Sequence, residues 1–232
     1  MNENKDLLLR IGSYNIRNGS DVGHVMSVLA EDIKRHNLDI VGLQEVDVMS
    51  DRSGNIDTLK ELAESALYPF YRFTHTVNIR GGMYGTAIMS RYPITNFENI
   101  KLPTAEKHES RALGHAEIDF NGVRIDFLNT HLSYEKNSLR KEQFKFINGY
   151  AKKLDAFVLT GDFNTSDVDE YALVENVQRV NGGRCATFPS SNEAIDEIMA
   201  SKSFTLVDWG TDHCNGHSDH DMLWAEVLLP QK

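Results

Sequence analysis

Apolar and polar positions along this chain follow two different rhythms. Leu7 to Ile16 is an apolar run of strand length, and Asp39 to Glu45, carrying Ile40, Val41 and Leu43, reads as a buried strand that ends in polar residues. Between them Val22, Val25, Met26, Leu29 and Ile33 recur at helical spacing behind Asp21, which predicts a helix capped by that aspartate. Asp57 predicts the cap of a second helix with Leu59, Leu62, Ala63 and Ala66 turned inward. From Phe70 the rhythm changes. Phe70 to Val77, Tyr84 to Ser90, Ile94 to Leu102, Ala112 to Phe120 and Val123 to Thr130 are strand-like, and Asn121-Gly122 between the last two is the strongest short hairpin signal. This stretch is expected to be antiparallel. Leu139, Phe146, Ile147, Tyr150 and Leu154 then mark a long amphipathic helix, and Ala156 to Thr160 a strand. Ser166 to Asp169 predicts the start of a helix carrying Leu173, Val174 and Val177, and Trp224 to Leu229 a last strand. Helices on both sides of a run of hairpins predict an α/β fold of two stacked mixed or antiparallel sheets with helices outside. No repeat, low-complexity tract or linker divides the chain, so one domain over 1–232 is expected.

Composition adds limits. Lys and Arg number 24 against 34 Asp and Glu, a formal net charge of −10. Such a chain repels polyanions at long range, and no basic patch for nucleic acid is apparent. With 41% hydrophobic and 25% charged residues the composition is that of an ordinary globular protein, able to build a core without disulfides. Cys185 and Cys214 form no CxxC and no paired framework, so a reducing compartment, the cytoplasm, is the simpler reading. The opening residues 1–6 lack a basic region followed by an apolar run, and no apolar stretch is long enough to cross a membrane.

Polar residues collect where apolar strands stop. Strand ends carry Asn15, Gln44-Glu45, Asn129-Thr130-His131 and Asp162-Phe163-Asn164, and Ser218-Asp219-His220 precedes the last strand. Singly, each is an ordinary strand terminator or cap. Together they are chemically complementary. Asn15, Glu45 and Asp219 suit a hard divalent cation that takes a few oxygen donors and keeps waters for a phosphate to displace. Asp162 with Asn164 can orient or deprotonate a water, and His131 with His220 can hydrogen-bond charge building on phosphate oxygens.

Leu43-Gln44-Glu45-Val46, Asn129-Thr130-His131-Leu132, Gly161-Asp162-Phe163-Asn164 and Ser218-Asp219-His220, in this order and at these separations, resemble the motifs of the endonuclease/exonuclease/phosphatase superfamily. Gly85 to Arg91, Arg111 and Ile195-Asp196 resemble lesser marks of the same family. The resemblance implies a four-layer α/β sandwich and a Mg²⁺- or Mn²⁺-dependent hydrolase of phosphoester bonds. It implies Glu45 as principal metal ligand with Asn15 and Asp219 beside it, and Asp162 and Asn164 at the water or the phosphate. It implies His220 and His131 as the imidazoles at the scissile phosphate, with Asp196 orienting His220, and Arg111 as a substrate contact. Tyr84, beside Gly81-Gly82, fits either the cleft lining or the core. Two residues depart from the pattern: Glu197 stands where an aromatic is usual and Asp221 follows His220, both adding negative charge near the expected centre.

Rival readings are weaker. His213-Cys214-x-x-His217-x-x-His220 has zinc-type donors at unsuitable spacing. His115-Ala116-Glu117 imitates a deaminase motif but lacks the cysteines that should follow. The favoured expectation is a phosphodiesterase or phosphatase acting on a small or lipid-like substrate. A nuclease on DNA or RNA is the alternative within the class, and a non-catalytic binding module of the same fold the alternative outside it.

Overall fold

The structure, a computed structural model, describes residues 7–230; the opening 1–6, expected to carry no export signal, lies outside them. Among these residues twelve strands and four α-helices follow one another as β1 (Leu8–Asn15), α1 (Met26–Arg35), β2 (Ile40–Val48), α2 (Thr58–Ser65), β3 (Phe70–Ile79), β4 (Gly82–Ser90), β5 (Ile94–Lys101), β6 (Ala112–Phe120), β7 (Val123–His131), α3 (Asn137–Ala151), β8 (Phe157–Asp162), α4 (Val168–Tyr171), β9 (Val177–Arg179), β10 (Asp196–Ser201), β11 (Thr205–Asp212) and β12 (Met222–Leu228). They form two six-stranded sheets, ordered β11-β12-β1-β2-β4-β3 and β5-β6-β7-β8-β10-β9. Each sheet is antiparallel except for one central parallel pair, β1 with β2 and β7 with β8.

Three apolar clusters define four layers. One lies between the sheets, with Leu9, Ile11, Ile40 and Ile88 against Phe127, Val158 and Ile198. A second seats α1 and α2 on the first sheet through Leu29, Ile33, Leu59 and Leu62, and a third seats α3 on the second sheet through Phe144 and Ile147. This is the expected α/β sandwich. The five hairpin-like segments divide between the sheets, β3 and β4 going to the first and β5, β6 and β7 to the second. Phe120 pairs with Val123 around Asn121 and Gly122, both at positive φ, as a two-residue hairpin turn of this kind requires.

Side chains alternate faces along a strand, so every second residue points into the gap between sheets. These inward rows change character from one end of the sandwich to the other. On β1 the row is Leu9, Ile11, Ser13, Asn15; on β7 it is Ile125, Phe127, Asn129, His131; on β8 it is Val158, Thr160, Asp162. The gap is therefore apolar at one end, lined by amides and hydroxyls in the middle, and ionisable at the other. Asn129 fastens the middle zone. Its amide donates to Leu43 O and Ala87 O, both at 2.9 Å, and its oxygen accepts from Gln44 at 2.7 Å and Thr160 at 3.0 Å. The sheets approach so closely here that a Cβ on Gly42 would sit 2.1 Å from Thr160 Oγ1.

Several local expectations are corrected. The segment behind Asp21 is not helical from its start: 17–22 forms a 3₁₀ turn, Gly19, Gly23 and His24 take positive φ, and α1 begins only at Met26 without a side-chain cap. Asp21 pairs with Arg17 instead, and Val25 is exposed. Phe146 also faces outward, and Phe144 takes its place in the core. The helix expected after Ser166 is one turn capped by Asp167, and Val177 belongs to β9. Asp57 caps α2 by accepting from Lys60 N. Among the described residues no helix is long and apolar enough to cross a membrane.

Candidate functional site

The ionisable end of the gap gathers side chains from both sheets. Asn15, the last residue of β1, donates its amide nitrogen to Asp162 Oδ2 at 3.0 Å and to Glu45 Oε1 at 3.2 Å, and lies 3.5 Å from His220 Nε2. One nitrogen thus joins carboxylates from opposite sheets. Asn15 Oδ1 accepts from Arg17 N, so the amide offers hydrogen rather than oxygen to the centre, and ligation of a cation by Asn15 requires the amide to turn over.

Glu45 reaches the centre through an irregularity. In an even strand Gln44 would face the gap and Glu45 the helices. Between Leu43 and Val46 the pairing with β4 slips, and Glu45 takes φ +56°, a left-handed conformation costing a non-glycine residue about 1 kcal/mol. The bulge lets Gln44 hold Asn129 while Glu45, half-buried, joins Asn15.

Asp162 ends β8, buried, with Oδ1 accepting from Asn164 N at 2.9 Å. Burial, and next the neighbouring Asp196, hold its carboxyl well above the usual range. Asn164 donates its side-chain amide to Leu132 O at 2.9 Å, which leaves its oxygen as the free group. His131 Nε2 lies 3.5 Å and His220 Nε2 3.7 Å from Asp162 Oδ2. The two imidazoles are driven apart electrically. For His131, burial, then Arg111 and His220, lower the proton affinity well below the ordinary value, and its Nδ1 has no partner. For His220, burial alone would do the same, but Asp196 Oδ2 on Nδ1 at 2.8 Å, with Asp162 and Asp219, outweighs it and pushes the pKa up to about 10. Near neutral pH one ring is neutral and the other cationic. Thr187 Oγ1 accepts from Asp196 N and Phe188 packs on His220 with ring centres 4.7 Å apart, fixing that pair.

The remaining expected residues lie around this centre. Asp219 is held at 3.3 Å by Arg17 Nε. Ser218 donates to Asn15 O at 2.7 Å, tying the segment before β12 to the end of β1. Tyr84 is buried on the gap side of β4 beneath the Arg52 guanidinium, 5.2 Å above its ring, and Arg52 is itself gripped by both oxygens of buried Asp47 at 2.7 Å. Arg111 is buried beside Glu109, Nη1 to Oε1 3.2 Å. Arg17, Ser218 and Glu109 carried no role in the sequence reading. Ser218 was visible inside the Ser218-Asp219-His220 motif and Arg17 lies two residues past the strand-end Asn15, whereas Glu109 stands in a polar loop with nothing to mark it.

Both extra acids are engaged by other groups. Glu197 points to the other face of β10, where Arg179 Nε and the backbone of Asn181 and Gly182 neutralise it, and Asp221 pairs with His213. The zinc-like donors disperse as well, His213 to Asp221, His217 to Asp32 and His220 to Asp196, while Cys214 is buried. His115 is buried on β6 between Asp126 and Tyr150.

Ligand atoms of Asp162, Asp196 and His220 fall within 4.8 Å of one another, a group that could hold a metal ion. Asp196 Oδ2 and His220 Nδ1 are engaged with each other, so Asp162 and Glu45, joined at Asn15, are the acids with oxygens facing the centre. Negative charge there exceeds the single imidazolium, and oxygen donors predominate. That donor set fits a hard divalent cation.

Such a centre, buried carboxylates beside two imidazoles at the edge of a four-layer α/β sandwich, has the groups that hydrolysis of a phosphoester requires. Residues 12–220 match the Endonuclease/Exonuclease/phosphatase family, and the chain belongs to it. A comparison with curated protein sequences gave no match. Among solved structures, an endonuclease/exonuclease/phosphatase from Beutenbergia cavernae superposes with a TM-score of 0.81 at 21% identity, over 97% of this chain and 72% of that one. A mannosyl-6-phosphatase from Bacteroides thetaiotaomicron gives 0.72 at 20%, over 95% of this chain and 100% of that one. TDP2 from D. rerio, complexed with a single-strand DNA product, gives 0.75 at 21%, over 96% of this chain and 99% of that one.

Proposed function

We propose that the protein is a Mg²⁺- or Mn²⁺-dependent phosphodiesterase or phosphatase acting on a small or lipid-like phosphoester. The observation that carries this reading is the single Asn15 amide joining Glu45 and Asp162, with Nε2 of both imidazoles within 3.7 Å of Asp162 Oδ2. Glu45 would hold the cation, with Asp219 and a turned Asn15 beside it. When bound, a divalent cation offsets the charge of the substrate phosphate and of the oxyanion that develops on it.

This chain's own groups supply the rest. Asp162, fixed by Asn164 N, takes the proton of the attacking water, a task helped by the raised proton affinity that burial gives it. Asn164 Oδ1 orients that water, since its NH₂ is committed to Leu132. His220, cationic and aimed by Asp196, donates from Nε2 to a phosphoryl oxygen. His131, kept neutral, contributes one further N–H at the scissile group.

Two neighbours bear on the substrate, a mannosyl-6-phosphatase and TDP2 with a single-strand DNA product. The net charge of −10 favours the small ester. The test is hydrolysis of bis-p-nitrophenyl phosphate with Mg²⁺ or Mn²⁺. Glu45→Gln and His220→Ala are each expected to lower the rate on the order of 10²-fold or more while circular dichroism is unchanged; full activity in both variants ends the reading. Faster nicking of plasmid or abasic duplex than turnover of phosphorylated sugars, inositols or lipids would replace it with a nuclease.

A further inference from the structure

Arg111 is more deeply placed than its charge allows without a partner. It is 2% exposed, yet Nε and Nη1 make no hydrogen bond, and the Glu109 oxygen 3.2 Å from Nη1 is not aligned to accept one. A buried donor left unmade costs on the order of 1–3 kcal/mol, more when charged. Its charge is felt at the catalytic centre, where it helps to lower the proton affinity of His131. It also lines a cavity of about 490 Å³ between the ends of β3 and β5 and the loop leading into β6. The other polar walls are His75, Thr76, Asn99, Lys101, Thr104 and Ser110, and no carboxylate lines it. In a chain of net charge −10, a cavity whose lining holds Arg and Lys, with Glu109 beside Arg111 as the acid paired to it, is locally poor in negative charge. His75 spends Nε2 on Asn78, and Asn99 donates to His75 O, so these walls are held in place by their own neighbours. The volume is that of a small-ligand site.

We propose that this cavity binds an oxyanion, the second phosphate or carboxylate of a compact polar substrate whose scissile phosphate lies at Asp162 and His131 on the other side of Arg111. The role as a subsite rests on the phosphoester-hydrolase reading; the binding of an oxyanion does not. Arg111 then stands between two anion positions, and a turn of its covered guanidinium toward the cavity gives Nε or Nη1 the partner that it otherwise lacks. Substrates with a single charged end would leave the cavity to water and Lys101 without a counterion.

Binding is tested first on metal-free protein in EDTA, with inorganic phosphate as probe and histidine ring resonances as readout, the His75 signal being identified by its loss in His75→Gln. Saturable movement of the His75 signal, weakened about three- to fivefold by Lys101→Ala as loss of one part-exposed ion pair implies, supports the pocket. No movement of His75, or movement that Lys101→Ala leaves unweakened, overturns it even if His131 and His220 respond. The subsite role is tested by kcat/KM for glucose 1,6-bisphosphate and 6-phosphogluconate relative to glucose 6-phosphate. A preference for either doubly anionic sugar that Lys101→Ala reduces through KM supports the role, and the better of the two names the group as phosphate or carboxylate; equal values for all three overturn it. If no ester is hydrolysed while His75 still reports phosphate, the hydrolase reading falls and the anion pocket stands.

Discussion

Asp196→Asn separates the charge on His220 from its position. In the native protein burial pulls the imidazole toward the neutral form, and Asp196, 2.8 Å from Nδ1, is the strongest of the carboxylates that pull it back to about 10. An amide can still accept from Nδ1 but brings no charge, so burial gains the upper hand and the ring is expected to titrate roughly two to four units lower. That corresponds to on the order of 3–5 kcal/mol between the protonation states. The sign for stability follows. Because the folded pKa lies above the unfolded ~6.5, the native imidazolium stabilises the fold fully below that pH, and the contribution fades as pH climbs through about 10. The variant lacks this alkaline loss. Ring resonances followed in metal-free protein from about pH 5 to about pH 11 measure the shift directly. With Mg²⁺ present, the alkaline limb of kcat is expected to move down with it, and neutral-pH turnover to fall on the order of 10²–10³. A variant ring titrating within about one unit of the native value would refute the assignment of its charge to Asp196.

Other perturbations probe different parts of the fold. If Glu45 holds the cation, Mg²⁺ raises the melting temperature of the native protein and leaves Glu45→Gln unmoved, in calorimetry at matched ionic strength. Gly42→Ala drives a methyl to within 2.1 Å of Thr160 Oγ1 and 2.6 Å of Asn129 Oδ1 and is expected to cost about 1–3 kcal/mol by urea unfolding, a loss that Thr160→Ser does not rescue. Asn129→Ala unmakes four buried hydrogen bonds between the sheets, for a loss of about 3 kcal/mol and a melting point ~6–12 °C lower.

Most of the centre was legible because its residues sit where apolar runs stop. Asn15, His131 and Asp162 continue the inward rows of β1, β7 and β8, so alternation alone carries them to one end of the gap. Glu45 was legible as a strand-end acid and through its motif, but not from alternation. By alternation it belongs with the helices, and the slip that brings it round depends on a positive φ that no glycine announces. The strands β9, β10 and β11 escaped notice for other reasons. β9 has three residues, β10 lies behind the Ile195-Asp196 motif, and β11 is a half-exposed edge mixing Thr205, Val207 and Asp208. Charge near the centre was misjudged at Glu197, because a sequence records an acid but not the Arg179 that meets it or the strand face it takes.

The position of β12 bears on how the molecule is made. It runs between β11 and β1 in the first sheet, and Leu8 pairs with Leu228 across nearly the whole chain. A nascent polypeptide on the ribosome therefore presents β1 as an open, apolar edge until its final strand has been synthesised, and the last imidazole of the centre arrives with that strand. Pairing so remote in sequence is slow to form and aggregation-prone while it waits. Phosphate chemistry is thereby deferred until synthesis of the domain is over.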